Sequence, residues 1–220
     1  MVNRLGMFNY QRYKTYVLVV ITCLALVLCS SCSPVGSAVG RSRDKNDTTQ
    51  VDGIDRNDMV VGLLGESQNL EAADRTILQT CEKNKVVGVY SATWDSYNYT
   101  QAAASGFADM ISRPVNIILV NGLEYDSNSS TVREQWNSIL STARKAGIPV
   151  VLVNPRTIPQ DDTLYAAVFA ISSLSNYENS LVHESSLQQK FDKNSWSFDN
   201  AIFTIANNEY HEIYMNVTLP

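Results

Sequence analysis

Four short stretches hold the side chains best suited to bind a small molecule: Glu66-Ser-Gln-Asn69, Trp94-Asp95, Asn121 and Asn154-Pro-Arg156. Carboxylate, carboxamide and guanidinium groups make planar, directional hydrogen bonds, and an indole adds a flat apolar face. That mixture suits a polyhydroxylated ligand, whose hydroxyls donate and accept while its ring carbons rest on an aromatic plane. Glu66, Asn69, Trp94, Asp95, Asn121, Asn154 and Arg156 are therefore the expected ligand contacts. Glu66 and Asp95 would also make an acid and base pair if they met, but no other signal supports catalysis. The chain has no Gly-x-Ser-x-Gly nucleophile turn, no Gly-x-x-x-x-Gly-Lys-Ser/Thr phosphate loop, no Gly-x-Gly-x-x-Gly after the first strand and no His-Glu-x-x-His. His183 and His211 lack a cysteine or second histidine at ligand spacing. No metal, cofactor or enzymatic activity is expected.

The elements that would position these residues follow from hydrophobic periodicity. Val132, Trp136, Ile139, Leu140 and Ala143 share one face of a helix, and Gly147 stops it by taking the positive φ that closes a helix. Val150-Val-Leu-Val153 follows with no polar alternation, the pattern of a strand covered on both faces. Met59–Leu64, Val86–Tyr90 and Val115–Val120 read the same way. Between them lie one helix with Leu70, Ala73, Ile77, Leu78 and Cys81 on one side and another with Ala103, Phe107, Met110 and Ile111. Strand and helix alternate three times over short connections, which predicts an α/β fold with a doubly wound parallel sheet and right-handed crossovers. In such sheets ligands sit beyond the carboxyl ends of the strands, where the four stretches fall.

The amino terminus carries a different signal. Arg4, Arg12 and Lys14 precede the apolar run Tyr16–Leu28, which is short for a bilayer span and the right length for a signal-peptide core. It ends at Leu28-Cys-Ser-Ser-Cys32, which resembles the lipobox of bacterial lipoproteins and implies acylation of Cys32; the alternative is an uncleaved single-span anchor. Several acyl chains, at about 0.8 kcal/mol per buried methylene, hold a protein on a membrane. Residues 33–57 are Ser, Gly, Asp, Asn, Arg and Thr with almost no large apolar side chain, a composition expected of a flexible tether. The net charge of −5 without a basic run argues against nucleic acid. Three of the four cysteines lie in or just after the leader, so a disulfide framework is not the organising device.

Val61-Gly-Leu-Leu-Gly-Glu-Ser67, the Trp136 helix, Ala143-Arg-Lys-Ala-Gly-Ile-Pro-Val-Val-Leu-Val-Asn154 and Asp162-Thr-Leu-Tyr-Ala-Ala-Val-Phe-Ala170 together resemble the amino-terminal lobe of periplasmic sugar-binding proteins. These are the type I solute-binding subunits of ABC importers, related to the ribose and galactofuranose binders and to LacI-type sensor domains. The resemblance implies two similar lobes with a sugar in the cleft between them. It also implies permease subunits as partners and an extracytoplasmic location at the cell membrane. Two positions depart from the family pattern. Asn69-Leu-Glu71 stands where the first helix often begins with tryptophan and arginine, and Asn154-Pro-Arg156 stands where the fourth strand commonly ends in Asp-Arg.

At 220 residues the chain is too short for two full lobes. The expected organisation is a lipoprotein signal peptide (1–32), a linker (33–57), the first lobe (58–172), and a hinge with an incomplete second lobe (173–220). Tyr165–Ile171, at the end of the first lobe, is expected to lead across the hinge, and Asn176–Phe191 beyond it to form a helix. Ala201–Ile205 and Glu212–Val217 are expected as strands, leaving Phe203, Ile205 and Tyr214 as exposed apolar surface. The function expected is that of a sugar-binding lipoprotein of an ABC importer, truncated in its second lobe. The alternative is a non-transporting surface lipoprotein that uses one lobe as an interaction module.

Overall fold

The computed structural model describes residues 53–65, 72–93, 98–113, 115–125, 128–191 and 193–220. Cys32, the leader and most of the linker lie outside the described residues, as do Glu66, Asn69, Trp94 and Asp95.

The first five strands are β1 (Val60–Gly65), β2 (Val87–Ala92), β3 (Ile117–Asn121), β4 (Val150–Val153) and β5 (Ala167–Ala170). Helices α1 (Ala72–Lys83), α2 (Tyr99–Ser112) and α3 (Ser130–Lys145) connect the first four. A four-residue helix α4 (Ser185–Gln188) precedes β6 (Ser195–Ser197), α5 (Phe198–Ala206) and β7 (Tyr214–Thr218). The seven strands form one sheet in the order β2-β1-β3-β4-β5-β7-β6, and every neighbouring pair is parallel. The doubly wound α/β fold expected from the periodicity is thus the fold observed.

Alternate residues of the central strands feed two separate cores, which is why these strands carry no polar alternation. Val61, Leu63, Ile117, Leu119, Val151, Val153 and Phe169 meet the apolar faces of α1 and α5. Leu64, Ile118, Val120, Val150, Leu152 and Val168 meet α2 and α3, with Trp136, Phe107 and Leu140 fully enclosed. Gly147 adopts φ 74 at the end of α3, and Ile148 N–H donates to Ala143 C=O across it at 3.0 Å, so the helix stops where the sequence predicts. Cys81 lies in the α1 core, where burial pushes its thiol up to about 12, leaving it an inert packing residue.

The last 48 residues keep the expected strand near 212–217 and depart from expectation elsewhere. Ala201–Ile205 belongs to helix α5, not to a strand. Phe198, Ala201, Ile202 and Ile205 recur at i, i+3, i+4 and i+7 and bury one helical face. Asn176–Phe191 is not a continuous helix but two single 3₁₀ turns, Tyr177–Asn179 and Leu181–His183, followed by α4. Ser180 and Glu184 break it with extended backbone, and the Ser180 hydroxyl bonds back to the Tyr177 carbonyl, a local alternative to the helical ladder. Strand β7, expected near 212–217, inserts between β5 and β6. Residues 195–218 therefore extend the first sheet, and β5 pairs within it instead of leading across a hinge. The apolar residues expected to be exposed are covered accordingly. Ile205 is buried, Phe203 lies beneath the Arg56 guanidinium at 4.8 Å, and Tyr214 packs edge-on against Phe191.

Candidate functional site

The chain winds outward from β1 to β2 in one direction and from β3 onward in the other. The carboxyl ends of β1 and β3 therefore flank the point where winding reverses and the following helices leave on opposite faces, the place where ligands bind in open parallel sheets. A run of hydrogen bonds, buried at Asp74–Asn121 and at Asn154–Ile171 and half-buried between and beyond them, crosses the strand ends at this place. Tyr90 of β2 donates its hydroxyl to Asp74 Oδ2 at 3.0 Å, and Asn121 at the end of β3 donates to Asp74 Oδ1 at 2.7 Å. Asn121 Oδ1 accepts from Asn176 at 2.9 Å, and Asn176 Oδ1 accepts from Asn154, just past β4, at 3.1 Å. Asn154 completes the run by donating to the Ile171 carbonyl at 3.0 Å and accepting from the Ile171 N–H at 2.9 Å.

Asp74 is fully buried in the first turn of α1. A carboxylate there is favoured by the unpaired N–H groups and dipole of the helix start, and it needs the charge-assisted bonds it receives because burying it bare costs several kcal/mol. Burial, reinforced by the charge and hydrogen bond of Asp74, pushes the Tyr90 phenol well above its usual value, so Tyr90 remains a proton donor. Gly65 at the end of β1 makes this approach feasible. A Cβ at that position would lie 2.2 Å from Asp74 Oδ2 and 2.4 Å from the Tyr90 hydroxyl. Thr93, buried beyond β2, donates to the Gly65 carbonyl at 3.1 Å and ties the two strand ends together.

The sequence-predicted residues within this region take different roles. Asn121 and Asn154 do stand at the strand ends, but they are 2% and 1% exposed and bond to protein. Both N–H groups of the Asn154 amide are used internally, so in this structure Asn154 bridges the end of β4 to Ile171 and Asn176. Its backbone φ of 41 turns the side chain back along the ladder, where it stands in for a peptide group opposite Ile171. Arg156 points outward and pairs with Glu124 at 3.2 Å, with both side chains about half exposed, so the contact ties the β3 and β4 loops only weakly. The structure thus brings Asn121 and Asn154 into one network and leaves Arg156 outside it.

Asp74, Tyr90 and Asn176 were not predicted. Asp74 had a signal: it stands one residue after Ala73 and three before Ile77, a carboxylate inside an apolar helical stripe. Tyr90 read only as a strand residue, and Asn176 lay in a segment expected to be helical. The histidines stay apart from the network. His211 places its ring nitrogens 2.9 Å from the Glu209 carbonyl and 3.3 Å from the Ala166 carbonyl, and His183 pairs with Glu178 at the surface. No group of His, Cys, Asp and Glu among the described residues is arranged to hold a metal ion.

No family model and no curated protein matches the chain. Solved structures do, at low identity. A galactofuranose binding protein shares 17% identity at a TM-score of 0.40, over 50% of this chain and 35% of that one. An ABC transporter solute binding protein from Bacillus halodurans, solved with bound myo-inositol, shares 17% at 0.38, over 74% and 58%. The transcription regulator CcpA of Lactococcus lactis shares 16% at 0.36, over 72% and 58%. The chain thus spans between 35% and 58% of the length of these proteins.

Proposed function

We propose that this chain is an extracytoplasmic solute-binding lipoprotein that holds a monosaccharide or similar polyol at the crevice outside β1 and β3. In this reading Cys32 carries the lipid anchor at the cell membrane, residues 33–57 are the tether, and the loaded protein meets the permease subunits of an ABC importer. No bond is made or broken, and the partner ATPase supplies the free energy. The observation that carries the reading is the buried Asp74–Asn121 pair with the half-buried Tyr90 hydroxyl bonded to it. A desolvated carboxylate adds little stability compared with an apolar residue, so its position at the reversal point of the winding is better accounted for by preorganisation of a binding rim. Asp74 itself is buried and acts by fixing the ends of β2, β3 and α1 around that rim.

One observation favours a second reading. The amides of Asn121 and Asn154 are spent on protein, which suits a surface lipoprotein that uses this α/β body as an interaction module and carries no sugar. Calorimetric titration of the chain from Ser33 onward against a panel of monosaccharides and myo-inositol separates the two. Binding that Asp74→Asn weakens by about tenfold supports the solute binder, a loss expected when one charge-assisted bond is downgraded. Silence across the panel leaves the interaction module.

A further inference from the structure

The segment after β5 crosses the strand ends instead of leaving the sheet. Leu174 is buried in the core beneath α1 and α5, whereas Val182 is fully buried in the opposite core beneath α2 and α3, with Tyr177 packed beside it. A chain with one apolar anchor in each core has to pass over the sheet edge between them. It does so at the carboxyl ends of β3 and β4, where the Asn176 amide is inserted between those of Asn121 and Asn154. Leu181 N–H then donates to the Pro155 carbonyl at 2.8 Å, pinning the far side of the crossing to the β4 loop.

We propose that residues 172–184 are an autoinhibitory strap, with Asn176 as its latch. The strap seals the β3–β4–β5 half of the rim and takes Asn121 and Asn154 out of reach of a solute. This rests on the carboxyl rim being the ligand face, as proposed above. The strap lowers apparent affinity by the fraction of molecules in which it is open, so loosening the latch tightens binding by up to the gain in that fraction. Asn176 is only half-buried, and its two hydrogen bonds are side chain to side chain. Their loss therefore raises local opening by about thirtyfold, two bonds of ordinary net strength, without removing anything from either core.

Hydrogen exchange on the full-length protein in detergent, wild type against Asn176→Ala, tests the latch with no ligand needed. Peptides covering 171–184 are expected to exchange about thirtyfold faster in the variant, with those covering β1 and β3 unchanged. Unchanged exchange in 171–184, or a rise shared equally by β1 and β3, would overturn the strap. Titration of both proteins with the monosaccharide and myo-inositol panel tests the autoinhibition. The variant is expected to bind the same sugar at least about tenfold more tightly, and equal or weaker binding by a variant with a loosened strap refutes it. If neither protein binds any member of the panel, the ligand reading fails and with it the inhibitory role, while the exchange result still decides whether the latch exists.

Discussion

Asn154 is where the functional and structural roles of one side chain can be separated by mutation. Its amide makes three hydrogen bonds: it accepts from Ile171 N–H at 2.9 Å and donates to Ile171 C=O at 3.0 Å and to Asn176 at 3.1 Å. Ile171 is completely buried, so truncation to alanine strands a main-chain donor and a main-chain acceptor with no route to water. Each unsatisfied group costs about 1–3 kcal/mol. Alanine must also hold the φ of 41, which costs about 1 kcal/mol more for a residue with a Cβ and no side-chain oxygen to compensate. The total, about 3–7 kcal/mol, is a large fraction of the about 5–15 kcal/mol that holds an ordinary domain together. For a folded body of this size each kcal/mol moves Tm by about 2–4 °C, so Asn154→Ala is expected to melt at least about 6 °C below wild type.

A short series sharpens the test. Asn154→Gly loses the same hydrogen bonds but accepts the positive φ without strain, and should recover about 1 kcal/mol relative to alanine. Asn154→Asp keeps the acceptor for Ile171 N–H but turns a carboxylate oxygen toward the Ile171 and Asn176 oxygens, and should fare no better than alanine. Thermal denaturation followed by circular dichroism gives the ranking directly. All three variants melting within about 2 °C of wild type would refute the peptide-mimic role, since that corresponds to less than one ordinary hydrogen bond.

Gly65→Ala places a Cβ against Asp74 and Tyr90, neither of which can retreat without breaking the cluster, and should lower Tm by several degrees, while Gly147→Asn, at an open αL position, should leave it nearly unchanged. Tyr90 and Tyr165 are both held protonated, Tyr90 by burial and Asp74 and Tyr165 by burial and Tyr214. Because their folded pKa values are raised, the stability they contribute is complete below the unfolded value of about 10 and is lost as pH climbs through the folded values. Alkaline difference absorbance should show these two phenols ionising late and together with unfolding; early ionisation in the intact fold would contradict their burial. Val87 and Tyr210 are the only large hydrophobic residues strongly exposed among those described, and they form no continuous patch. The chain without residues 1–52 is therefore expected to sediment as a monomer, and concentration-dependent association would point to apolar surface unaccounted for in this fold.

The parts of this molecule that were legible in its sequence are those governed by local periodicity. The Trp136 helix, its Gly147 stop and the apolar run after it depend on contacts a few residues apart and on a backbone preference, and each lies where the pattern put it. Ala201–Ile205 shows the limit of that reading, because a five-residue run with four apolar side chains fits a buried strand and a buried helix equally well; only the wider window, with Phe198 seven residues before Ile205, distinguishes them. The polar residues pose a different problem. Topology placed Asn121 and Asn154 at the carboxyl ends of their strands, but it did not say which hydrogen-bond partners they would take, and those partners are 17 to 55 residues away. A polar residue at a strand end can face a solute or continue the ladder for one more step with its side chain. The choice between them depends on the backbone φ at that residue and on what crosses above it. For Asn154 both point inward: the positive φ aims its amide at Ile171, and Asn176 covers it from the other side. Asp74 carried the clearer sequence signal, since a carboxylate within an apolar helical stripe must be compensated by donors brought from elsewhere, and the reversal of winding between β1 and β3 is what brings Tyr90 and Asn121 to it.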